Sequence, residues 1–153
     1  MRLLALAAVL ALTACGFAGR GGANPKSESV DVSVQVRPDS LLRAAINYLG
    51  ANGYTTNRLA DSTLVTSPRP VPERARTNST QDQQWILQIK TEKMFLMSGS
   101  RLRVIGFVLP SGASTPVDTT TVRQATPITG SNARLFGEVR SVANAIARSV
   151  SKK

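Results

Sequence analysis

One cysteine, no histidine and nine acidic side chains spread along 153 residues leave this chain little to do chemistry with. Without histidine a nucleophile–histidine–acid arrangement cannot form, and the commonest metal ligand and near-neutral general base are missing as well. A zinc site would have to use carboxylates alone, which is uncommon. A carboxylate pair can cleave a glycosidic bond, but here the acids stand singly. The one glycine-rich run, Gly19-Arg20-Gly21-Gly22, follows no strand and opens no helix, so it does not have the context of a phosphate loop. The reading is of a protein with no catalytic residues, metal or cofactor. The residue left to explain is Cys15, which has no partner for an internal disulfide.

Cys15 lies at the end of an apolar run. Met1-Arg2 is a short positive start, and Leu3 to Leu12 is a stretch of leucine, alanine and valine. Together they have the anatomy of a secretory signal peptide. The uncharged stretch ends at Gly19 and is glycine-rich at its close, short of the about 20 apolar residues of a membrane helix. An ordinary signal cut after Ala14, and a plain membrane helix, are the alternative readings.

Leu12-Thr13-Ala14-Cys15 resembles the lipobox of bacterial lipoproteins, and all four positions fit. The resemblance covers residues 1–15. It implies a diacylglyceryl group on the Cys15 thiol, cleavage before Cys15 and acylation of the new amino group. Two or three acyl chains hold a protein at a bilayer stably where one does so only marginally. Gly16 follows the cysteine where an acidic residue would retain an enteric lipoprotein in the inner membrane, so the resemblance implies the outer membrane, facing the periplasm. The chain then divides into a signal peptide (1–14), a lipidated cysteine with a flexible tether rich in glycine (15–27), and one domain (28–153).

The domain has signals for both helix and strand. Val30, Val32, Val34 and Val36 alternate with polar residues, as in a strand with one buried face. Pro38-Asp39-Ser40 starts a helix capped by Asp39 or Ser40, with a stripe of Leu42, Ala45, Ile46 and Leu49 that ends at Gly50 and Gly53. Tyr54 opens a second strand, which turns at Ala60-Asp61-Ser62 into Thr63 to Ser67. Pro68 to Gln83 is a polar loop. Trp85, Leu87 and Ile89 alternate in a strand with Trp85 in the core, and Ser98-Gly99-Ser100 turns into a strand from Arg101 to Leu109. One face of that strand carries Leu102, Val104 and Val108. The other carries Arg101, Arg103, Ile105 and Phe107, whose apolar half calls for cover. Met94 to Met97 is expected to extend the strand into the core, with an exposed contact site as the alternative. A short edge strand is expected over Thr119 to Thr126. A last helix runs from about Asn132 to Ser149 on Leu135, Val139, Val142, Ile146 and Val150.

This order, β-α-β-β-β-β-(β)-α, predicts an α+β two-layer sandwich: an antiparallel sheet of about four to six strands with two amphipathic helices on one face. Element order together with the lipobox is similar to the helix-grip domains of BamC-type accessory lipoproteins of outer-membrane β-barrel assembly. No sequence motif carries that similarity, and it transfers no functional residue.

The formal charge of +10 favours anionic partners, although the basic residues are scattered. Two functions follow. The first is an accessory or structural module that docks on another envelope protein through the half-apolar face. The alternative is a binding module for anionic cell-wall polymer or lipid head groups, using Arg69, Arg74, Arg76, Arg101 and Arg103. A nucleic-acid partner is not expected, because the leader directs the domain out of the cytoplasm and aromatic residues for stacking are few.

Overall fold

The computed structural model describes residues 26–80, 82–95, 98–109 and 117–151. Strand β1 (Val30–Val34) leads into helix α1 (Pro38–Ala51), with Arg37 at the N-cap position. Neither Asp39 nor Ser40 is the cap, because Pro38, whose fixed φ suits the first helical position, starts the helix earlier. Asp39 instead lies in the first turn, where a carboxylate complements the helix dipole. The helix buries Leu41, Leu42, Ala45 and Leu49, while Ile46 remains 40% exposed. At 100° per residue Ile46 falls roughly 90° round the helix from the centre of that stripe, on its solvent flank. The helix ends in a Schellman motif: Gly53 N–H donates to Gly50 O, and Tyr54 N–H to Leu49 O at 2.9 Å. Gly53 takes the left-handed conformation this requires, with φ of 75°.

Hairpin β2 (Thr56–Ala60) and β3 (Thr63–Thr66) turns where expected, with a bulge between Arg58 and Ala60. The loop that follows holds more structure than its polarity announces. It contains a two-residue strand β4 (Arg69–Pro70) and a 3-10 turn (Glu73–Ala75), and it buries Val71 and Ala75. The long strands β5 (Gln84–Lys93) and β6 (Ser100–Leu109) then pair over their whole length, from Gln84 opposite Leu109 to Lys93 opposite Ser100. Helix α2 (Thr119–Gln124), a two-residue strand β7 (Thr126–Pro127) and helix α3 (Ala133–Ser151) complete the fold.

The sheet is antiparallel, in the order β1-β6-β5-β3-β2, with β4 beside β5 and β7 beside β6. The two short strands bring the count to seven. The fold is therefore the expected α+β sandwich, with α1 and α3 covering one face. There Leu64, Trp85, Leu87, Ile89, Leu102 and Val104 meet Leu41, Leu49, Leu135, Val139 and Ile146 in one core. Trp85 is buried as expected, and Val150 packs at the core margin.

The opposite face carries a smaller core, in which Val65, Ile86 and Leu109, with Leu59 and Phe107 beside them, pack under Val117, Val122 and Ala125. The cover that Phe107 calls for thus comes from this same chain. It comes from a helix where an edge strand was expected. The β-branched threonines of 119–121 favour a strand, but Asp118 caps them into a helical turn by accepting from Thr121 N–H at 2.7 Å and Thr121 Oγ at 2.8 Å. Burial of Val122 holds the turn on the sheet.

Of the apolar run after β5, Phe95 does not enter the core and Met94 is half-buried. The register ends at Lys93 opposite Ser100, so the residues between lie beyond the last pair, and Phe95 is fully exposed. Leu96 and Met97 lie outside the described residues.

Gly106 sits on the helix-covered face of β6. A Cβ there would meet Val139 Cγ2 at 2.6 Å and Ile128 Cδ1 at 2.9 Å, whereas a Cβ on Gly137, in the exposed part of α3, would meet nothing within 4 Å. Gly106→Ala is therefore expected to destabilise the domain by about 1–3 kcal/mol through overpacking. Gly137→Ala should stabilise it by about 0.5–1 kcal/mol through helix propensity. Urea unfolding of the two variants side by side checks both signs.

Candidate functional site

Cys15 and the lipobox residues Leu12, Thr13 and Ala14 lie outside the described residues. The five arginines that sequence nominates are all described, and they fall on opposite faces of the sheet.

Arg69 and Arg74 line an open cavity of about 580 Å³ between the end of α1, the 3-10 turn and α3, together with Tyr48, Tyr54, Glu138 and Ser141. The Arg69 guanidinium lies 4.5 Å from the centroid of the Tyr54 ring, a cation–π contact, and its Nη1 donates to Asn52 O at 3.0 Å. Asn52 closes α1, whose last turn holds no basic residue, so Arg69 supplies from outside the cation that a helix C-terminus favours. Burial raises the Tyr54 hydroxyl above the ordinary tyrosine range, against the lowering effect of Arg69, and keeps it protonated. Arg74 forms a two-point pair with Glu138 of α3, Nη2 to Oε2 at 2.6 Å and Nε to Oε1 at 2.5 Å, and this pairing raises its pKa further. Arg76 Nε donates to Val71 O at 2.7 Å and folds the loop back on itself. The arginines of this loop thus attach it to α1, to α3 and to itself.

Arg101 and Arg103 stand on the other face, on β6. Arg103 makes a bidentate pair with Asp31 of β1, directly opposite in the ladder, at 2.9 and 3.0 Å, and approaches Glu92 of β5 at 4.0 Å. Asp31 is held below the ordinary carboxylate range by the Arg103 hydrogen bond, against desolvation, with the Arg103 and Arg101 charges adding to the effect. Arg101 is exposed and makes no hydrogen bond or ion pair with a described residue. Four of the five arginines are therefore engaged within the domain.

Among the described residues no group of three acidic side chains could hold a metal ion. The partners that sequence missed are Asp31, Glu138 and Tyr54, the first two 72 and 64 positions from the arginines they bind. No local spacing rule reaches across such separations; only the strand register and the helix packing make these pairs. No protein-family model matches this sequence, and a search of curated proteins finds no match.

The Asp31–Arg103 pair gives a pH test. A carboxylate whose folded pKa lies below its unfolded value stabilises the fold above the unfolded value, about 3.9, and that contribution is lost as pH falls through the folded pKa. With side chains 37% and 31% exposed, the pair is screened by solvent, so its contribution is about 0.5–1 kcal/mol. Asp31→Asn should lower unfolding free energy by that amount at pH 7. The difference from the parent chain should close as pH drops below the unfolded value. Urea midpoints measured from pH 7 to pH 2.5 read it directly.

Proposed function

We propose that this protein is an acylated lipoprotein of the bacterial cell envelope. In this reading Cys15 holds it at a bilayer, and its domain is a non-enzymatic accessory or structural module that docks on another envelope protein. The observation that carries the reading is the position of the only cysteine, at the end of a leader-sized apolar run and within Leu12-Thr13-Ala14-Cys15. Gly16 after it favours the outer membrane, with the domain on the periplasmic side.

The folded part bears on this reading through its position, its element order and its arginine contacts. The first strand opens at Val30, only fifteen residues after Cys15, as suits a domain presented on a short tether. No helix among the described residues is long and apolar enough to cross a membrane. Apart from the inserted α2, the order of strand, helix, antiparallel strands and closing helix is the one on which the resemblance to helix-grip accessory lipoproteins rests. Internal engagement of Arg69, Arg74, Arg76 and Arg103 favours a docking module over one for anionic wall polymer.

Metabolic labelling with a fatty-acid probe tests the anchor. The parent chain is expected to be labelled and to fractionate with membranes, while Cys15→Ser loses the label and is released. An unlabelled parent chain overturns the proposal. In-cell crosslinking from the domain surface tests the docking half, which fails if no envelope protein is captured.

A further inference from the structure

Among the described residues only two large hydrophobic side chains are exposed, Ile46 and Phe95, and Phe95 is completely so. It stands at the far end of the β5–β6 hairpin, past the last ladder pair. Met94 beside it is half-buried, and Leu96 and Met97 follow in sequence. A fully exposed phenylalanine at a hairpin end marks a contact site when something complementary surrounds it.

The surroundings here are cationic. From Lys93 to Arg101 the chain holds no acidic residue, and these two flank the apolar run. Both are exposed, and neither forms an ion pair with a described residue. With Thr91, Met94 and Phe95 they wall an open hollow of about 710 Å³. The acid in that hollow is Glu92, which stands directly opposite Arg101 in the ladder and 4.0 Å from Arg103, so one acid faces two arginines there. Phe95 thus shares with Lys93 and Arg101 the wall of a space able to admit a head group. An apolar projection flanked by lysine and arginine is how a surface element partitions into the interface of an anionic bilayer: the ring enters the acyl boundary and the cations remain with the phosphates.

We propose that the β5–β6 hairpin tip is a membrane-contacting element, in which Phe95 inserts into an anionic bilayer while Lys93 and Arg101 bind lipid phosphate. Geometry permits contact with the bilayer that the lipid anchor would use. Ser27, held by Gly130 N–H at 3.0 Å, lies seven residues before Val34, which pairs with Ser100 at the base of the tip. At a strand rise of about 3.3 Å per residue that separation is about 23 Å. Twelve residues lead from Cys15 to Ser27, and such a segment spans up to about 40 Å when extended. An anchored domain can therefore turn its hairpin to the same surface, and a second attachment beside the anchor would fix its orientation. The proposal shares with the lipoprotein reading only the bilayer as target. Loss of acyl labelling would remove the anchor alone, and a tip that stays in water would remove this proposal alone.

The test is the full chain carrying Phe95→Trp, mixed with vesicles of phosphatidylglycerol or of phosphatidylcholine. The native Trp85 is 2% exposed, so a change in emission on adding lipid reports position 95. With phosphatidylglycerol the emission should shift to the blue and be quenched by acyl-chain-brominated lipid. Lys93→Ser and Arg101→Ser should each raise the lipid concentration needed for half the shift by about fivefold at low salt. Emission that stays red and unquenched while the chain sediments with the vesicles overturns the proposal. So does a shift of equal size on phosphatidylcholine that ignores both cation substitutions. A blue shift that grows with protein concentration without lipid would place a second copy at the tip and overturn it too.

Discussion

The close approach of α3 to the sheet over Gly106 is the constraint on which this domain depends. Val139 and Ile128 occupy the space that a side chain at position 106 would need, and Ile128 N–H donates to Gly106 O at 2.8 Å. That contact sets how near the last helix can lie. With it are set the layer thickness filled by Leu135, Val139, Ile146 and the strand residues below them. Interiors packed at crystal-like density leave little room to adjust such a spacing. The strand that holds Gly106 is as widely used as any: β6 pairs with β1, β5 and β7, as β5 does with β3, β4 and β6, and Phe107 and Leu109 of its other face help form the smaller core. The domain is built around the β5–β6 pair at the middle of its sheet, with the chain on both sides folding back to it.

The positive charge has a different use from the one its total suggests. A basic chain with few acids has little scope for a dense ion-pair network, yet the few acids are placed where they count. Asp31 ties β1 to β6 across the ladder, and Glu138 holds the 3-10 turn against α3. Where no acid is available a carbonyl or a ring serves, as Asn52 O and Tyr54 do for Arg69 and Val71 O does for Arg76. Arginine suits this role because its planar fork presents several fixed donors and stacks on aromatic faces. Much of the excess around the 68–83 loop is consumed in closing that loop, and the cations left without such partners stand elsewhere.

Periodicity in the chain made the sandwich legible. The valine alternation of β1, the Trp85-Leu87-Ile89 pattern of β5 and the heptad-like stripe of α3 each bury the side chains their spacing indicates. Legibility fails where a short element depends on a contact remote in sequence. Arg69–Pro70 is a strand because β5 lies beside it, and Thr119–Gln124 is a helix because Asp118 caps it and the sheet receives Val122. Neither segment is long enough to carry a period. Phe95 departs from the expected core for another reason: hydrophobicity alone says that a residue leaves water on average, and it does not say what it enters. The residue types of the candidate surface were visible, but which arginines would be free was not, since that is decided by partners 64 and 72 positions away.

Those free groups and the tether bear on one another through the strand directions. β1 enters the sheet opposite Val104 and runs toward Ser100, so the tether joins the domain at the end remote from the β5–β6 tip. Under the proposed anchoring, a domain held only at that end by a glycine-rich sequence would rotate about it, because such linkers transmit almost no torque. An orientation-specific role, such as docking on a neighbouring envelope protein, then needs a second contact far from the first. The end of the domain that offers an exposed aromatic ring with Lys93 and Arg101 is the end at which such a contact has the longest lever arm. Two weak attachments at opposite ends restrict tilt more than two side by side. The distance between the start of β1 and the tip is a consequence of the register, and under the two proposals together it would also be a functional dimension of this fold.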